Sequence, residues 1–350
     1  MKSLVSVIIT NFNYEQYLPE AIDSVLNQTY QYFEIIVVDD GSNDNSVGLI
    51  QKFEALYPSK IKGIYKKNGG QASAFNRGFE CAQGNIIAFL DADDYWYENK
   101  LEKIVEYHKN YAGIQHNLLI NNQLKFALLE DKVAKQKKGL ELFGFLGTIP
   151  TSGLSFQKEY LKEIFPIPEK EYKICADLYV KTMFLNNHDI FSIDNPLGCY
   201  RSHGQNHWFS SQASSLEYNK ITLDKLNKQR EKQGRTIIRR NNDAEAIGFF
   251  MLNSLQLEKD KRHVIYGMGE MAKVFFESLK DSINIVSFSG SYIEDKEINF
   301  LGKPAWPLEY LINNSSEYDK VIISSSHVSE ILKYLEESGI DKEKILVPKL

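Results

Sequence analysis

Residues Asn85 to Trp96 read NIIAFLDADDYW. Ile86, Ile87, Ala88, Phe89 and Leu90 make a short apolar run with the length of a buried strand. Asp91, Asp93 and Asp94 follow at once. Burying unpaired carboxylates is costly, so three acids at the mouth of a core need something to meet them. Asp91 and Asp93 are two residues apart, which on an extended backbone directs them to the same side. A divalent cation accounts for such a cluster. Mg²⁺ and Mn²⁺ prefer oxygen ligands and take one or two carboxylates together with substrate phosphates. Asp94 also reads as an acid near the start of the helix in ENKLEKIVEYHK.

Outward from this stretch, the first ~110 residues alternate strand and helix signals in the manner of a mainly parallel α/β sheet. VSVIIT, FEIIVVDDGS and IKGIYK read as further strands, and YLPEAIDSVLNQT, NSVGLIQKFEALY and QASAFNRGFECA read as helices. Parallel sheets bind ligands beyond the carboxyl ends of their strands. At those ends the sequence puts Thr10, Asn11 and Asn13, then Asp39, Asp40, Gly41 and Ser42, then Lys67, Asn68, Gly69 and Gly70, then the acids. Four strands thus deliver polar loops to one rim.

The whole chain has 350 residues, enough for two or three domains, with 43% hydrophobic and 25% charged residues and a net charge of -5. That charge argues against nucleic acid as the main partner. The basic runs KQKKG and IIRRN read as solvated faces. Cys81, Cys175 and Cys199 show no CxxC spacing, which suits a reducing compartment and no structural zinc. The start MKSLVSVIIT has no cleavage site of the signal-peptide kind, and no run approaches the ~20 apolar residues that span a bilayer. The expectation is a cytoplasmic protein, with any membrane contact peripheral and at the inner face.

VSVIITNFNYEQYLPEAIDSVLNQTYQYFEIIVVDDGSNDNS followed by NGGQASAFNRGFECAQGNIIAFLDADDYW resembles the nucleotide-sugar half of family 2 glycosyltransferases with the GT-A fold. TSGLSFQ, CADLYVK and PLGCYRSHGQNHW are similar to the acceptor half of bacterial members. The resemblance implies a GT-A domain over 1–213, divided into a nucleotide-sugar half (1–110) and an acceptor half (111–213). A helical connector is expected over 214–262 and a small Rossmann-like α/β domain over 263–350.

By the same resemblance, the donor is a nucleoside-diphosphate sugar, with UDP as the expected nucleotide. Thr10, Asn11 and Phe12 would meet the base and ribose. Asp40 would accept from the uracil N–H, while Asp39 would bind ribose or brace the loop. Gly70, Asn76 and Arg77 would lie near ribose and diphosphate. Asp91 and Asp93 would hold ribose and a Mn²⁺ or Mg²⁺ on the diphosphate, with His203 as a further metal ligand and Arg201 as a diphosphate clamp. Asp177 would be the base that activates the acceptor hydroxyl, although Cys175 and Ala176 replace the Glu that often precedes it. A single base without a second, nucleophilic carboxylate implies inversion at the anomeric carbon. The expected acceptor is a hydroxyl of a bacterial surface or envelope glycan.

VIYGMGEMA puts Gly267 and Gly269 between a strand and a helix in a GxGxxA pattern. The acid expected at the end of the next strand is replaced by Ser289, Gly290 and Ser291, with Glu294 and Asp295 further on. NAD, another nucleotide, a docking role and an empty site all stay open here. A nucleotidyltransferase would need a glycine- and lysine-rich loop after the first strand, which TNFNYEQYLPE lacks. The remaining alternative is a nucleotide-sugar-binding scaffold or sensor that acts through its C-terminal domain.

Overall fold

In the computed structural model the chain separates into two compact units, 1–238 and 239–350. The structure describes residues 2–122, 124–125, 137, 140, 149–203, 212–238, 257–293, 298–324 and 328–347. Most of the stretch 243–260, expected to be helical, lies outside them.

In the first unit, strands β1 (Val5–Asn11), β2 (Phe33–Asp39), β3 (Ile61–Tyr65) and β4 (Ile86–Asp91) run parallel in the order 3-2-1-4. Helices α1 (Leu18–Leu26), α2 (Ser46–Leu56) and α3 (Gln71–Cys81) connect them. These strands are apolar along most of their length because both sheet faces are covered. Ile8, Ile36, Ile87 and Phe89 enter one core, whereas Val7, Ile9, Ile35, Val37, Ala88 and Leu90 enter the other. The register aligns the polar ends. Asn11 pairs with Asp39, Thr10 with Asp91, and Asp39 with Tyr65.

Beyond β4 the sheet becomes mixed. β8 (Leu154–Gln157) lies antiparallel between β4 and β6 (Gly113–Ile120), β6 pairs in parallel with β9 (Ile190–Tyr200), and the short β7 (Leu124–Lys125) folds back antiparallel on β6. β5 (Tyr95–Trp96), just after the acids, pairs antiparallel with the end of β9, Tyr95 opposite Cys199 and Trp96 opposite Gly198. This short ladder brings residues 198–203 to the acidic turn. Helix α4 (Lys100–Tyr107) follows, and α5 (Lys158–Leu161) follows β8. Helix α6 (Ala176–Asn187) is buried on nearly every side; Asp177 and Asn187 are its half-buried residues. Helix α7 (Gln212–Lys232), at the start of the expected connector, puts Leu223 and Leu226 into the core that α6 shares.

The strands of the second unit are β10 (Arg262–Tyr266), β11 (Asn284–Gly290), β12 (Asn299–Phe300), β13 (Lys303–Pro307), β14 (Lys320–Ile323) and β15 (Ile345–Leu346), which form a sheet in the order β12-β13-β11-β10-β14-β15 with only the β12–β13 pair antiparallel among the described strands. Along β10 (Arg262–Tyr266), Ile265 faces helix α8 (Glu270–Leu279), while Val264 and Tyr266 face the side of α9 (Leu308–Asn313) and α10 (Val328–Glu337). Helices on both faces make it doubly wound, as a Rossmann-like unit is. Strand β13 (Lys303–Pro307) was not legible beforehand, since its KPAWP carries two prolines.

His108, just past α4, is buried and bonds Tyr111 O and Ser155 Oγ through its two ring nitrogens, each at 3.0 Å. Burial pushes it down to about 4, against a smaller upward pull from the Tyr111 carbonyl. Because the folded value lies below the unfolded one, its contribution is complete above ~pH 6.5 and is lost as pH falls towards 4. Urea unfolding across that window should give a pH dependence shallower in His108→Gln than in the parent, by up to ~1.4 kcal/mol per pH unit.

Candidate active site

The backbone leaves the sheet at Asp91. The N–H of Asp94 donates to Asp91 O at 3.1 Å, so Asp91 ends the strand while Asp93 and Asp94 lie on the turn after it. Each carboxylate consequently meets different partners. Asp91 Oδ1 accepts from Thr10 Oγ1 at 3.4 Å. Asp93 Oδ2 lies 3.0 Å from His203 Nε2. Asp94 is fully buried, accepting from Ser152 Oγ and, at 2.9 Å, from Arg201 N–H. Asp94 therefore ties the turn to the second half of the sheet and does not serve α4, whose N-cap residue is Asn99.

The electrostatics follow from this placement. Burial, then the charges of Asp93 and Asp177, pushes Asp91 up; Thr151 and Thr10 pull it back. Burial, then Asp93 and Asp91, pushes Asp94 well up. Burial raises Asp93 also, opposed by His203 and Arg201. Lys100 is fully buried, donates to Ser152 O at 2.9 Å and sits over the Trp96 ring. Burial holds its ammonium well below the usual range, and Asp94 draws it back up.

Arg201 joins both sides of the turn. Its Nε donates to Asp93 O and its Nη2 to Glu20 Oε2, each at 2.9 Å, and its guanidinium lies between the rings of Tyr17 and Tyr95. His203 stacks on Tyr17 with centroids 4.9 Å apart. His207 lies outside the described residues.

On the other side of β1, Asp39 accepts from Asn11 Nδ2 at 2.9 Å and from the N–H groups of Gly41 and Ser42 at 3.1 and 2.9 Å. Asn11 Nδ2 also reaches Ser42 Oγ, while its Oδ1 is buried with no hydrogen-bond partner. Asp40 is paired with Lys66 and accepts from Gly69 and Gly70 N–H, fastening the glycine loop to β2. Gly70 has φ +86°, and a Cβ there would meet Lys173 Cα at 2.6 Å, so only glycine suits this crossing. A cleft of about 570 Å³ is lined by Asp39, Gly41, Ser42, Val47, Tyr65, Lys66, Lys67 and Asn68. Asp39, rather than Asp40, is the acid on that lining. Phe12 stands exposed at the end of β1.

Asp177 opens α6, and the helix start is held by Gln71, whose Oε1 accepts from Ala176 N–H at 2.8 Å. Cys175 before it adopts a left-handed backbone with φ 58°, and burial, then Asp177, pushes its thiol up to about 12. Asp177 Oδ2 lies 3.2 Å from Lys181 Nζ.

Two expected residues point elsewhere. Asn76 spends its amide on Ile167 O, Ile167 N–H and Glu169, tying α3 to that loop. Arg77 pairs with Glu80 on the exposed face of α3. In the second unit, Gly267 follows β10 with φ 127°, and its N–H donates to Ser289 O at 2.7 Å. Ser289 Oγ is spent on Trp306 O; Glu294 and Asp295 lie outside the described residues. Among the described residues no three His, Cys, Asp or Glu side chains form a metal-holding group by themselves.

Residues 6–164 match the sequence model described as Glycosyl transferase family 2, and residues 259–346 one described as C2185-like, N-terminal. An uncharacterized glycosyltransferase of Nostoc sp. is 39% identical over 230 residues, 61% of this chain and 69% of the relative. The chain belongs to glycosyltransferase family 2. A Rickettsia bellii glycosyltransferase is 26% identical over 353 residues, 95% of this chain and 47% of its own length. A Bacillus subtilis glycosyltransferase whose name places it in teichuronic acid biosynthesis is 41% identical over 107 residues, 30% of this chain and 42% of its own. The chain thus spans under half the length of these two relatives. Among solved structures, Staphylococcus aureus TarS in complex with UDP-GlcNAc superposes with TM-score 0.52 at 19% identity, over 72% of this chain and 71% of that one. A Pyrobaculum calidifontis mannosyltransferase in complex with GDP-Man and Mn²⁺ superposes with TM-score 0.50 at 16% identity, over 64% and 65%. Both likenesses concern the fold, which is GT-A. As a family 2 member the protein is a glycosyltransferase, and none of its described helices is long and apolar enough to cross a membrane.

Ser152 was missed by sequence reasoning, though TSGLSFQ was singled out as a segment. Its hydroxyl accepts from Asp91 N–H at 3.1 Å and donates to Asp94, and its carbonyl takes Trp96 Nε1 and Lys100 Nζ. Removing that hydroxyl leaves a buried carboxylate short of a donor. Ser152→Ala should cost about 1–3 kcal/mol in urea unfolding, with a larger loss than Ser202→Ala on the exposed side of the same region.

Proposed function

We propose that the protein transfers a sugar, with inversion, from a nucleoside-diphosphate donor to a hydroxyl of a bacterial envelope glycan. The observation that carries the reading is the meeting of the Asp91–Asp93 turn, from the donor half, with Asp177, from the acceptor half. Thr151 bonds Asp91 and accepts from Gln71 Nε2 at 3.3 Å, and Oε1 of the same Gln71 accepts from Ala176 N–H, so one hydrogen-bonded path joins the acidic turn to the helix start that carries Asp177.

The cleft beside β2 and β3 receives the nucleoside. Asn11 is oriented there by chemistry, because a carboxylate such as Asp39 only accepts and so fixes which end of the amide is NH₂. Its buried, unpartnered Oδ1 accepts an imino N–H or a ribose hydroxyl. Uracil, thymine and guanine all offer an imino N–H; UDP is the nucleotide that the family resemblance favours, and the S. aureus neighbour holds UDP-GlcNAc while the archaeal one holds GDP-Man. Asp39 lines the same cleft as a second acceptor, with Lys66 and Lys67 supplying positive charge; Phe12 stands exposed at the end of β1 and Thr10 bonds Asp91. Asp40 and Gly70 act through the loop they hold, bringing it close to ribose and diphosphate.

The donor set fits Mn²⁺ or Mg²⁺. Burial raises both Asp91 and Asp93, the charge of Asp93 raises Asp91 further, and His203 puts an imidazole on the Asp93 carboxylate. The described side chains form no closed metal cage by themselves, and Mg²⁺ or Mn²⁺ would complete its shell with diphosphate oxygens and water. Bound there, the cation supplies Lewis-acid neutralisation of charge on the leaving diphosphate. Arg201 holds the turn that carries Asp93 and brings a fixed positive charge beside it.

Asp177 takes the proton from the acceptor hydroxyl as its oxygen bonds to the anomeric carbon. The bond from that carbon to the diphosphate oxygen breaks, and its electron pair leaves with the nucleotide. A positioned base contributes typically 10²–10⁴ in rate. A second carboxylate free to act as nucleophile is not needed, which favours inversion. The acceptor class rests on the B. subtilis relative's name and is the coarsest part of the reading.

A panel of UDP-, GDP- and TDP-sugars with Mn²⁺, read by nucleotide release, tests the reaction. UDP-sugars should turn over fastest, and Asp177→Asn should lose about 10²-fold or more in kcat with little change in donor KM. Turnover of no donor would leave the scaffold reading. Independently of turnover, UDP plus Mn²⁺ should raise the melting temperature of the parent and leave that of Asp93→Ala nearly unchanged.

A further inference from the structure

We propose that Lys181 is a positioning residue for the transfer: its ammonium holds the Asp177 carboxylate in the orientation that meets the acceptor hydroxyl. The inference rests on Asp177 being the base.

Lys181 lies one helical turn beyond Asp177 on α6, so the two share a face. Its Nζ is 3.2 Å from Asp177 Oδ2 and donates to Ile149 O at 2.8 Å. The side chain is 2% exposed, whereas that of Asp177 is 17% exposed. Lysine is almost never buried so completely unless paired, and an apolar side chain of similar volume would fill the place at lower cost. The neighbours Val180, Met183, Phe184 and Leu185 are apolar core residues of just that kind.

The ammonium is therefore retained for what its tip does. Ile149 O fixes the tip from one side, so the contact with Asp177 has a defined direction instead of the loose geometry of an exposed pair. A carboxylate free to rotate would present either oxygen, or neither, to the acceptor. With Oδ2 engaged by Lys181, Oδ1 is the oxygen left for the hydroxyl proton. Lys181 itself changes no bond during the reaction.

A purely structural role, anchoring Ile149, is the competing account, and a double-mutant cycle separates the two. The readout is nucleotide release with Mn²⁺ from the fastest donor of the panel above. Lys181→Met should lower kcat about tenfold or more with donor KM changed by less than about twofold, and Lys181→Arg should recover part of the loss. Lys181→Gln keeps a donor for Ile149 O without the charge and should resemble Lys181→Met. On an Asp177→Asn background, Lys181→Met should have no further effect on kcat. Equal losses in both backgrounds, parent-like kcat in Lys181→Gln, or full activity in Lys181→Met would overturn the proposal while leaving Asp177 as the base. Full activity in Asp177→Asn, or no turnover of any donor by the parent, would overturn the assignment of the base and this inference with it.

Discussion

Three carboxylates at the end of β4 must be made compatible with a buried edge, and much of the first unit is organised around that requirement. Their mutual repulsion adds to the cost of desolvation, so each has a separate partner. Thr10 meets Asp91, His203 meets Asp93, and Ser152 with the Arg201 backbone meets Asp94. These partners come from β1, from the turn before β8 and from the segment after β9. The acidic turn is therefore the point at which distant parts of the chain are bound together, as well as the place where a cation and a diphosphate would be received.

That arrangement explains why the sheet changes character after β4. The parallel half needs only register to align Asn11, Asp39 and Asp91 at one rim. The second half must bring Ser152 and Arg201 back to the same turn, and an antiparallel β8 and the short β5–β9 ladder do so. Asp177 then arrives from a third direction, at the start of a helix whose entry is clamped by Gln71. The acidic turn and Asp177 thus stand on different elements, each fixed by its own hydrogen bonds.

The second unit follows its own logic. Its glycine pattern sits where a nucleotide fingerprint would, yet the end of β11 carries serine and glycine, and Ser289 is already bonded to Trp306. Strands β10, β11, β14 and β15 and helices α8 and α10 were legible from strand and helix periodicity, whereas the two-residue β12, the proline-bearing β13 and the short α9 were not. Its ligand was not, because a fold of this kind hosts many functions.

The sequence alone determined the parallel half, the rim and the acid cluster, because apolar runs of strand length ending in polar loops admit few other arrangements. The family resemblance, carried by ordered motifs, pointed to the same residues. What only the tertiary structure decided is which partner each group takes. Asp94 reads locally as a helix-start acid but pairs with residues 58 and 107 positions away. Asn76 and Arg77 read as ligand contacts but serve α3, and Ser152, Lys100 and Lys181 carry no local signal at all. Burial and long-range pairing set these roles, and neither is encoded in the neighbours of a residue along the chain.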